Sequence, residues 1–312
     1  DYLEPKNGYH YVFYLGDGSK SPKIQYSDVC ASPSPISQPR ATGLLYVDDS
    51  NNQNGQSEQS IGNWSSNEVV DKTSNPISRS IKYLQDGFTS RSQGEKEWAT
   101  IALGAHHQRV SLPNSNYNSV LDLSRHALAF MAIGEIQVAQ TDAEKIRESY
   151  NGGQIGEYEL INDDIFAVLV LAGLDVEFLQ NHQDIFDHIV SAQQPDGGFG
   201  FSVSSSSDVD MTAAALWALY YDDNVSVQVI SRGFEYLQNA QNSDGGFGYI
   251  KDNSSNIASS AWACVAFNTY GHDNAVVSEY ILSNQQPNGS WNYFGQESYR
   301  SSAYALIALS RR

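Results

Sequence analysis

One phrase occurs three times in this chain and narrows the folds open to it. Gln193-Gln194-Pro195-Asp196-Gly197-Gly198-Phe199, Gln241-Asn242-Ser243-Asp244-Gly245-Gly246-Phe247 and Gln285-Gln286-Pro287-Asn288-Gly289-Ser290-Trp291 share the spacing Gln-x-x-x-Gly-x-aromatic. Their first glycines are 48 and then 44 residues apart. Self-similarity at such a period marks a repeated supersecondary unit, read here as a pair of helices. Asp/Asn-Gly supplies the positive backbone angles that let the chain leave a helix. The glutamine amide can bond free backbone groups at neighbouring helix ends, and the aromatic packs over it. The phrase is therefore assigned to architecture, not chemistry.

From Ser74-Asn75-Pro76 onward an Ala-rich pattern recurs six times, at 98–103, 126–132, 165–172, 212–219, 261–266 and 303–309. These segments are apolar nearly all round, as helices enclosed by neighbours must be, and their small side chains allow close packing. More amphipathic helices are expected between them at roughly 77–87, 141–150, 181–193, 226–240 and 275–285. Between the first two inner helices only the loop around Ser111-Leu112-Pro113-Asn114 intervenes, so one outer helix is missing or degenerate. Inner and outer helices alternating in this way close a ring. The expected fold is all-α, an α/α toroid over 76–312 with six inner and about five to six outer helices.

Residues 1–75 read differently. Tyr9-His10-Tyr11-Val12-Phe13-Tyr14-Leu15, Lys23-Ile24-Gln25-Tyr26 and Gly43-Leu44-Leu45-Tyr46-Val47 are strand candidates separated by Ser, Pro, Asn and Gly. They suggest a small strand-bearing appendage or partial domain, packed on the toroid because it offers too little apolar surface for its own core. Lys+Arg 18 against Asp+Glu 36 gives a net charge of −18, which repels phosphate backbones and anionic headgroups, so no nucleic-acid partner is expected. No apolar run is long enough to span a bilayer. The chain opens at Asp1 without Met, as a processed or trimmed chain would, and without a charged-then-apolar leader. Few thiols, little Lys and much Ser, Asn and Tyr lean toward an extracellular or cell-surface setting. Cys30 and Cys264 could pair, or could be an isolated thiol and a buried helix residue.

The Gln-x-x-x-Gly-x-Phe/Trp phrase resembles the QW motif of the terpenoid cyclase and protein prenyltransferase superfamily, and the helix alternation looks like its α/α toroid. The resemblance covers about residues 76–312. Within it, Asp208-Val209-Asp210-Met211-Thr212-Ala213 is similar to the Asp-x-Asp-Asp-Thr-Ala motif of class II terpene cyclases, whose middle aspartate protonates an alkene or epoxide. The resemblance makes Asp210 that acid. Met211 replaces the last aspartate and cannot polarise it, and in this the segment looks more like secreted bacterial toroids that carry Asp-x-Asp-Met-Thr-Ala. The prenyltransferase branch holds zinc through Asp, Cys and His. Here Cys264 lies mid-helix without a preceding Asp-x-Cys, and the adjacent His106 and His107 point apart on a helix, so no metal site is expected.

Inner helices that start near one rim bring their first-turn residues to the mouth of a central cavity. The candidate ligand-binding ring is Glu97, Trp98, Asp122, Arg125, His126, Asp163, Asp164, Asp208, Asp210, Tyr299 and Arg300, with Ser259 and Ser260 at the equivalent place. Many of these acids could simply cap helices. Arg125 and Arg300 at helix starts need another reason, such as pairing of Arg125 with Asp122, Asp164 or Asp210. His126 alone reads as a core histidine.

Three functions remain open: a toroid that binds a small-molecule, glycan or protein ligand at its mouth without turnover; a terpenoid-cyclase-like enzyme with Asp210 as general acid; or a carbohydrate-active toroid using Asp163 or Asp164 with Asp210. The residues do not identify a cofactor, which stays unknown at this level. With Met211 beside the acid, no cyclisation of squalene or a prenyl diphosphate is expected. An apolar, aromatic-lined cavity would favour the cyclase reading, because aromatic faces stabilise cations. The appendage reading is checked by limited proteolysis: a released 1–75 fragment should lose cooperative folding, and a fragment that melts cooperatively on its own would disprove it.

Overall fold

The computed structural model describes residues 75–310 apart from Tyr158. The strand candidates before residue 48, and Cys30, lie outside the described residues. Twelve α-helices account for most of what is described: α1 (Pro76–Gly87), α2 (Gln93–Ala105), α3 (Val120–Ala132), α4 (Ile136–Glu148), α5 (Ile161–Leu174), α6 (Val176–Asn181), α7 (Gln183–Ser191), α8 (Val209–Leu219), α9 (Val227–Ala240), α10 (Ile257–Tyr270), α11 (Ala275–Ser283) and α12 (Tyr299–Ala308).

Helices α2, α3, α5, α8, α10 and α12 each pack on the next, and α12 packs back on α2, so the six close a ring. The others lie outside it: α4 covers α3 and α5, α6 and α7 cover α5, α9 covers α8, α11 covers α10, and α1 bridges α12 and α2. No outer helix separates α2 from α3, where residues 107–118 run as an irregular connection. Ala102, Ala129, Val168, Leu216, Ala263 and Leu306, one from each inner helix, are fully buried. The ring is the core: neither layer can remove its apolar surface from water without the other.

Two details differ from the sequence expectation. The outer helix expected at 181–193 is α7, preceded by a separate short α6, because the Asp175 carboxylate caps α6 at Phe178 N and His182 Nδ1 meets the Phe178 carbonyl at its other end. Before α12 a hairpin intervenes, β1 (Trp291–Tyr293) and β2 (Gln296–Ser298), antiparallel with Trp291 opposite Ser298. Its turn residues Phe294 and Gly295 both have positive φ, the geometry of a tight two-residue hairpin turn.

The repeated phrase is a hydrogen-bonded joint with the same wiring each time. Gln193, Gln241 and Gln285 each donate from Nε2 to the carbonyl of the glycine four residues on, at 2.9, 3.0 and 3.2 Å. Gln193 and Gln285 also reach the first turn of the next outer helix, at Val229 O (2.8 Å) and Pro76 O (2.9 Å). Gly197, Gly245 and Gly289 have φ near +90°, and a Cβ on Gly197 would collide with the Arg232 carbonyl. The aromatics Phe199, Phe247 and Trp291 are fully buried. Their backbone N–H groups donate to Thr212 Oγ1 (2.9 Å), Ser260 Oγ (2.9 Å) and Ser302 Oγ (2.8 Å), each the fourth residue of the following inner helix. Those hydroxyls in turn donate to the N-cap carbonyls of Asp208, Asn256 and Ser298.

The hydroxyl therefore satisfies a buried N–H that has no other partner in the joint. Ser260→Ala should lower the unfolding free energy by about 1–3 kcal/mol, the cost of stranding such a group. Urea denaturation checks this. Thr212→Ser, which keeps the hydroxyl, should cost less than Thr212→Val.

Candidate active site

Five of the six inner helices begin with a side-chain cap, in which Ser92, Ser119, Asp208, Asn256 or Ser298 accepts from the N–H three residues on. Counted from the N-cap residue, including Leu160 for α5, the helices can be placed in register. Their second, sixth and ninth residues share one helix face, because 3.6 residues complete a turn. That face lines the axis of the ring. The sixth residues are Trp98, Arg125, Phe166, Ala214, Trp262 and Tyr304. The ninth residues include Leu128, Trp217, Val265 and Ile307, and with the aromatic ones above them they enclose a central cavity.

The cavity wall is a cage of edge-to-face and tilted rings. Trp98 lies 4.9 Å from Tyr304, 5.9 Å from Trp262 and 6.3 Å from Phe166, and Trp262 lies 5.6 Å from Tyr304 and 6.2 Å from Trp217, centroid to centroid. The surface these rings leave to the cavity is apolar. The space left between them is small, about 10 Å³, room for one water molecule.

The second residues form the tier above the cage: Gly94, Leu121, Asn162, Asp210, Ala258 and Arg300. This is where the acid stands. Asp210 is half-buried as a residue, but its Oδ1 has no exposed surface and no hydrogen-bond partner. Burial pushes its carboxyl up to about 7; a hydrogen bond with the Ser259 hydroxyl opposes this, and the nearby Asp208 charge reinforces it. Ser259 is itself held by Asn256 Nδ2 at 3.1 Å. A carboxyl in this state keeps its proton up to neutral pH and can deliver it into an apolar space.

Asp208 has a different task. It caps α8 through Met211 N (2.8 Å), and its Oδ2 accepts from Tyr249 OH (3.1 Å). Burial raises its carboxyl to about 6, against the pull of those two donors. Met211 packs its side chain on the hydrophobic core. Met211, the fourth motif residue, thus contributes its backbone N–H to the cap, and the hydroxyl beside Asp210 comes from the neighbouring helix.

The remaining ring candidates separate into groups. Glu97, fully buried, accepts from Arg125 Nε at 2.5 Å and from Tyr117 OH at 2.8 Å, and Asp122 meets Arg125 Nη2 at 2.8 Å. Arg125 is therefore paired with Glu97 and Asp122, not with Asp164 or Asp210. His126 points outward, its Nδ1 at 2.5 Å from Asp142 on α4 and its Nε2 accepting from Ser115 N. Asp163 accepts from Glu157 N, and Asp164 from Ile155 N and from His188 on α7. Tyr299 donates its hydroxyl to the Leu84 carbonyl on α1 and carries Arg91 over its ring. Arg300 is exposed at the rim. Trp98, Asp210 and Arg300 thus belong to the axis, while His126, Asp163, Asp164 and Tyr299 serve the packing of the ring.

The register argument was available in the sequence for Phe166, Trp217, Trp262 and Tyr304, which reading first-turn residues alone passes over. Asn162 was legible in the same way. Among the described residues no group of three or more His, Cys, Asp or Glu could hold a metal ion, and no helix is long and apolar enough to cross a membrane.

A family model described as the prenyltransferase alpha-alpha toroid domain matches residues 119–302, more than half of the chain. No curated protein matches it in sequence. The solved structures similar in fold include two terpenoid-forming enzymes. The ent-copalyl diphosphate synthase from Streptomyces platensis is 15% identical with a TM-score of 0.50, over 70% of this chain and 50% of that one. The type II terpene cyclase MstE from Scytonema, in complex with merosterolic acid A, is 14% identical with a TM-score of 0.51, over 75% of this chain and 96% of that one. The chain thus spans about half the length of the Streptomyces protein. Identities this low speak to fold alone.

The raised Asp210 carboxyl has a consequence for stability. An unfolded aspartate titrates near 3.8 and the folded one at about 7, so between these values the folded state keeps a proton that the unfolded state releases. Stability from this group is present at the acid end of that window and is lost as pH rises through it. The thermal midpoint of Asp210→Asn minus that of wild type should therefore increase from pH 4.5 to pH 8, followed by circular dichroism. A flat difference would mean the carboxyl is not held protonated.

Proposed function

This chain belongs to the prenyltransferase α/α toroid family, and from that premise we propose that it is a terpenoid-cyclase-like protein in which Asp210 is the general acid. The ligand is apolar and carries an alkene or comparable proton acceptor. One observation carries this reading: a carboxyl with a buried, unpartnered oxygen stands, by helix register, one turn from a cage of aromatic rings. The proton is held at Asp210 by burial, at a pH where an ordinary aspartate has lost it. A cation formed on the ligand would then face Trp98, Trp262 and Tyr304, whose ring faces attract positive charge. The expectation of inactivity rested on Met211; Ser259, already bonded to Asn256, supplies a hydroxyl to the same carboxyl.

Around the mouth, the loops entering α8, α10 and α12 expose Phe201, Tyr249, Tyr293 and Phe294, an apolar approach to the cavity. The carbohydrate reading lacks its second carboxylate, because Asp163 and Asp164 are engaged with backbone N–H groups and His188. Binding without turnover is the second reading; under either, an isoprenoid chain enters the narrow cavity only if cage rings such as Trp98 and Tyr304 swing aside. On composition we also place the protein outside the cell or at its surface.

The test is incubation of the full chain with squalene and with geranylgeranyl diphosphate, followed by product analysis by gas chromatography and mass spectrometry. Wild type should form cyclic product, and Asp210→Asn should reduce it by about 10²–10⁴-fold, the usual contribution of a general acid. No product from wild type, with tryptophan fluorescence still quenched by either compound, would leave binding as the function.

A further inference from the structure

Asp208 and Asp210 stand two residues apart at the start of α8, where burial makes one negative charge between them easier to hold than two. Their hydrogen bonds show which of them carries it. Both oxygens of Asp208 accept, Oδ1 from Met211 N at 2.8 Å and Oδ2 from Tyr249 OH at 3.1 Å. That is the pattern of an ionised carboxylate, because protonation turns one oxygen into a donor. The phenol is held in place to do this. Tyr249 O accepts from Val209 N at 2.8 Å, so the loop entering α10 is fastened to the first turn of α8 by its backbone and returns its side chain to the same helix end. Burial, and next the Asp208 charge, push the Tyr249 hydroxyl up to about 12, so it keeps its proton throughout the range in which the two carboxyls titrate.

Asp210 is placed differently. Its partner Ser259 is a hydroxyl, which can accept from a carboxylic acid as well as donate to a carboxylate. The other titratable groups around the pair are phenols, Tyr236 of α9 near Asp208 and Tyr304 of α12 near Asp210. The acids of α5, Asp163 and Asp164, turn instead to Glu157 N and to Ile155 N and His188. We propose that Tyr249 is a positioning residue for the acid: by donating to Asp208 it keeps that carboxylate ionised and leaves the proton of the pair on Asp210. The charge held on Asp208 in turn favours the protonated form of Asp210. The repeats supply a comparison. The N-caps of α10 and α12 are Asn256 and Ser298, which carry no charge, and the residue equivalent to Tyr249 one repeat earlier is Phe201, which has no hydroxyl. An acidic cap and a phenol from the next repeat thus meet at the joint where Asp210 stands. This rests on Asp210 being the general acid and names the residue that assigns its proton.

The test is carbon-13 NMR of the full chain labelled at its aspartate carboxyls, titrated across the range in which the pair loses its protons, with Asp208→Asn and Asp210→Asn assigning the two signals. In wild type Asp208 should ionise first, at about 6, and Asp210 after it, at about 7. Tyr249→Phe keeps the ring and the backbone bond to Val209 but removes a donor to a charged group, worth about one pH unit at this half-exposed position. The Asp208 midpoint should therefore rise to the level of Asp210, and the Asp210 midpoint should fall. Asp208→Asn, which preserves the cap as Asn256 does on α10, should lower the Asp210 midpoint by itself, and adding Tyr249→Phe should move it no further. Unchanged midpoints in Tyr249→Phe, with thermal stability lowered equally at every pH, would make Tyr249 a structural clamp and overturn the proposal while leaving the general acid intact. A further fall of Asp210 in the double variant would also overturn it, since Tyr249 would then act without Asp208. A wild-type Asp210 ionised across the whole range would remove the general acid, and the positioning role with it.

Discussion

The structure depends on one amide contact made between repeats. In the first and third phrases a glutamine at the end of an outer helix bonds both the turn that follows it and the first turn of the next outer helix. In the last repeat the same residue, Gln285, reaches Pro76 O and accepts from Arg79 Nη2 at 2.6 Å, so the final phrase fastens onto the first helix of the ring. A solenoid of helical pairs has two open ends that expose apolar surface. Here the third phrase, together with α12 packing on α2, closes those ends against each other. Nothing at the axis could be held in place without that closure, because each inner helix is positioned by its two neighbours.

Closure turns a repeat into a site by register. Once the inner helices are capped at one level, their second, sixth and ninth residues stack as tiers around the axis, and changing a single residue in one repeat changes one segment of one tier. Asp210, Ala258 and Arg300 are the same position in three successive repeats, as are Thr212, Ser260 and Ser302. The conserved wiring fixes the backbone; the variable position carries the chemistry. Electrostatics follow from the same geometry. Arg125, in the middle tier, is neutralised by Glu97 and Asp122, whereas burial pushes the Asp210 carboxyl up to about 7.

Several residues that look chemical in a linear reading prove to be part of a fourth, degenerate joint. Asn151-Gly152-Gly153-Gln154-Ile155 repeats the turn without its glutamine clamp or its aromatic, with Gly152 and Gly153 at positive φ and Tyr150 bridged to Ile155. The buried Ile155 N–H bonds Asp164, which takes the place that Thr212, Ser260 and Ser302 hold elsewhere. His188 completes that carboxylate from the outer layer, as Asp142 completes His126. Helices present their first turns in all directions, so first-turn position alone could not separate residues facing the axis from those facing the outer layer.

The sequence by itself determined the ring, its six apolar helices, the missing outer helix and the acid in the second repeat position of α8, because hydrophobic period and turn chemistry are local properties. It also contained the tiers, for a reader who counts from the caps. Tertiary structure alone decided which candidates face one another: Glu97 with Arg125, His126 with Asp142, and Ser259 beside Asp210. Those pairings join residues on different helices. Their distances depend on how the ring closes, and no local pattern in the chain records that.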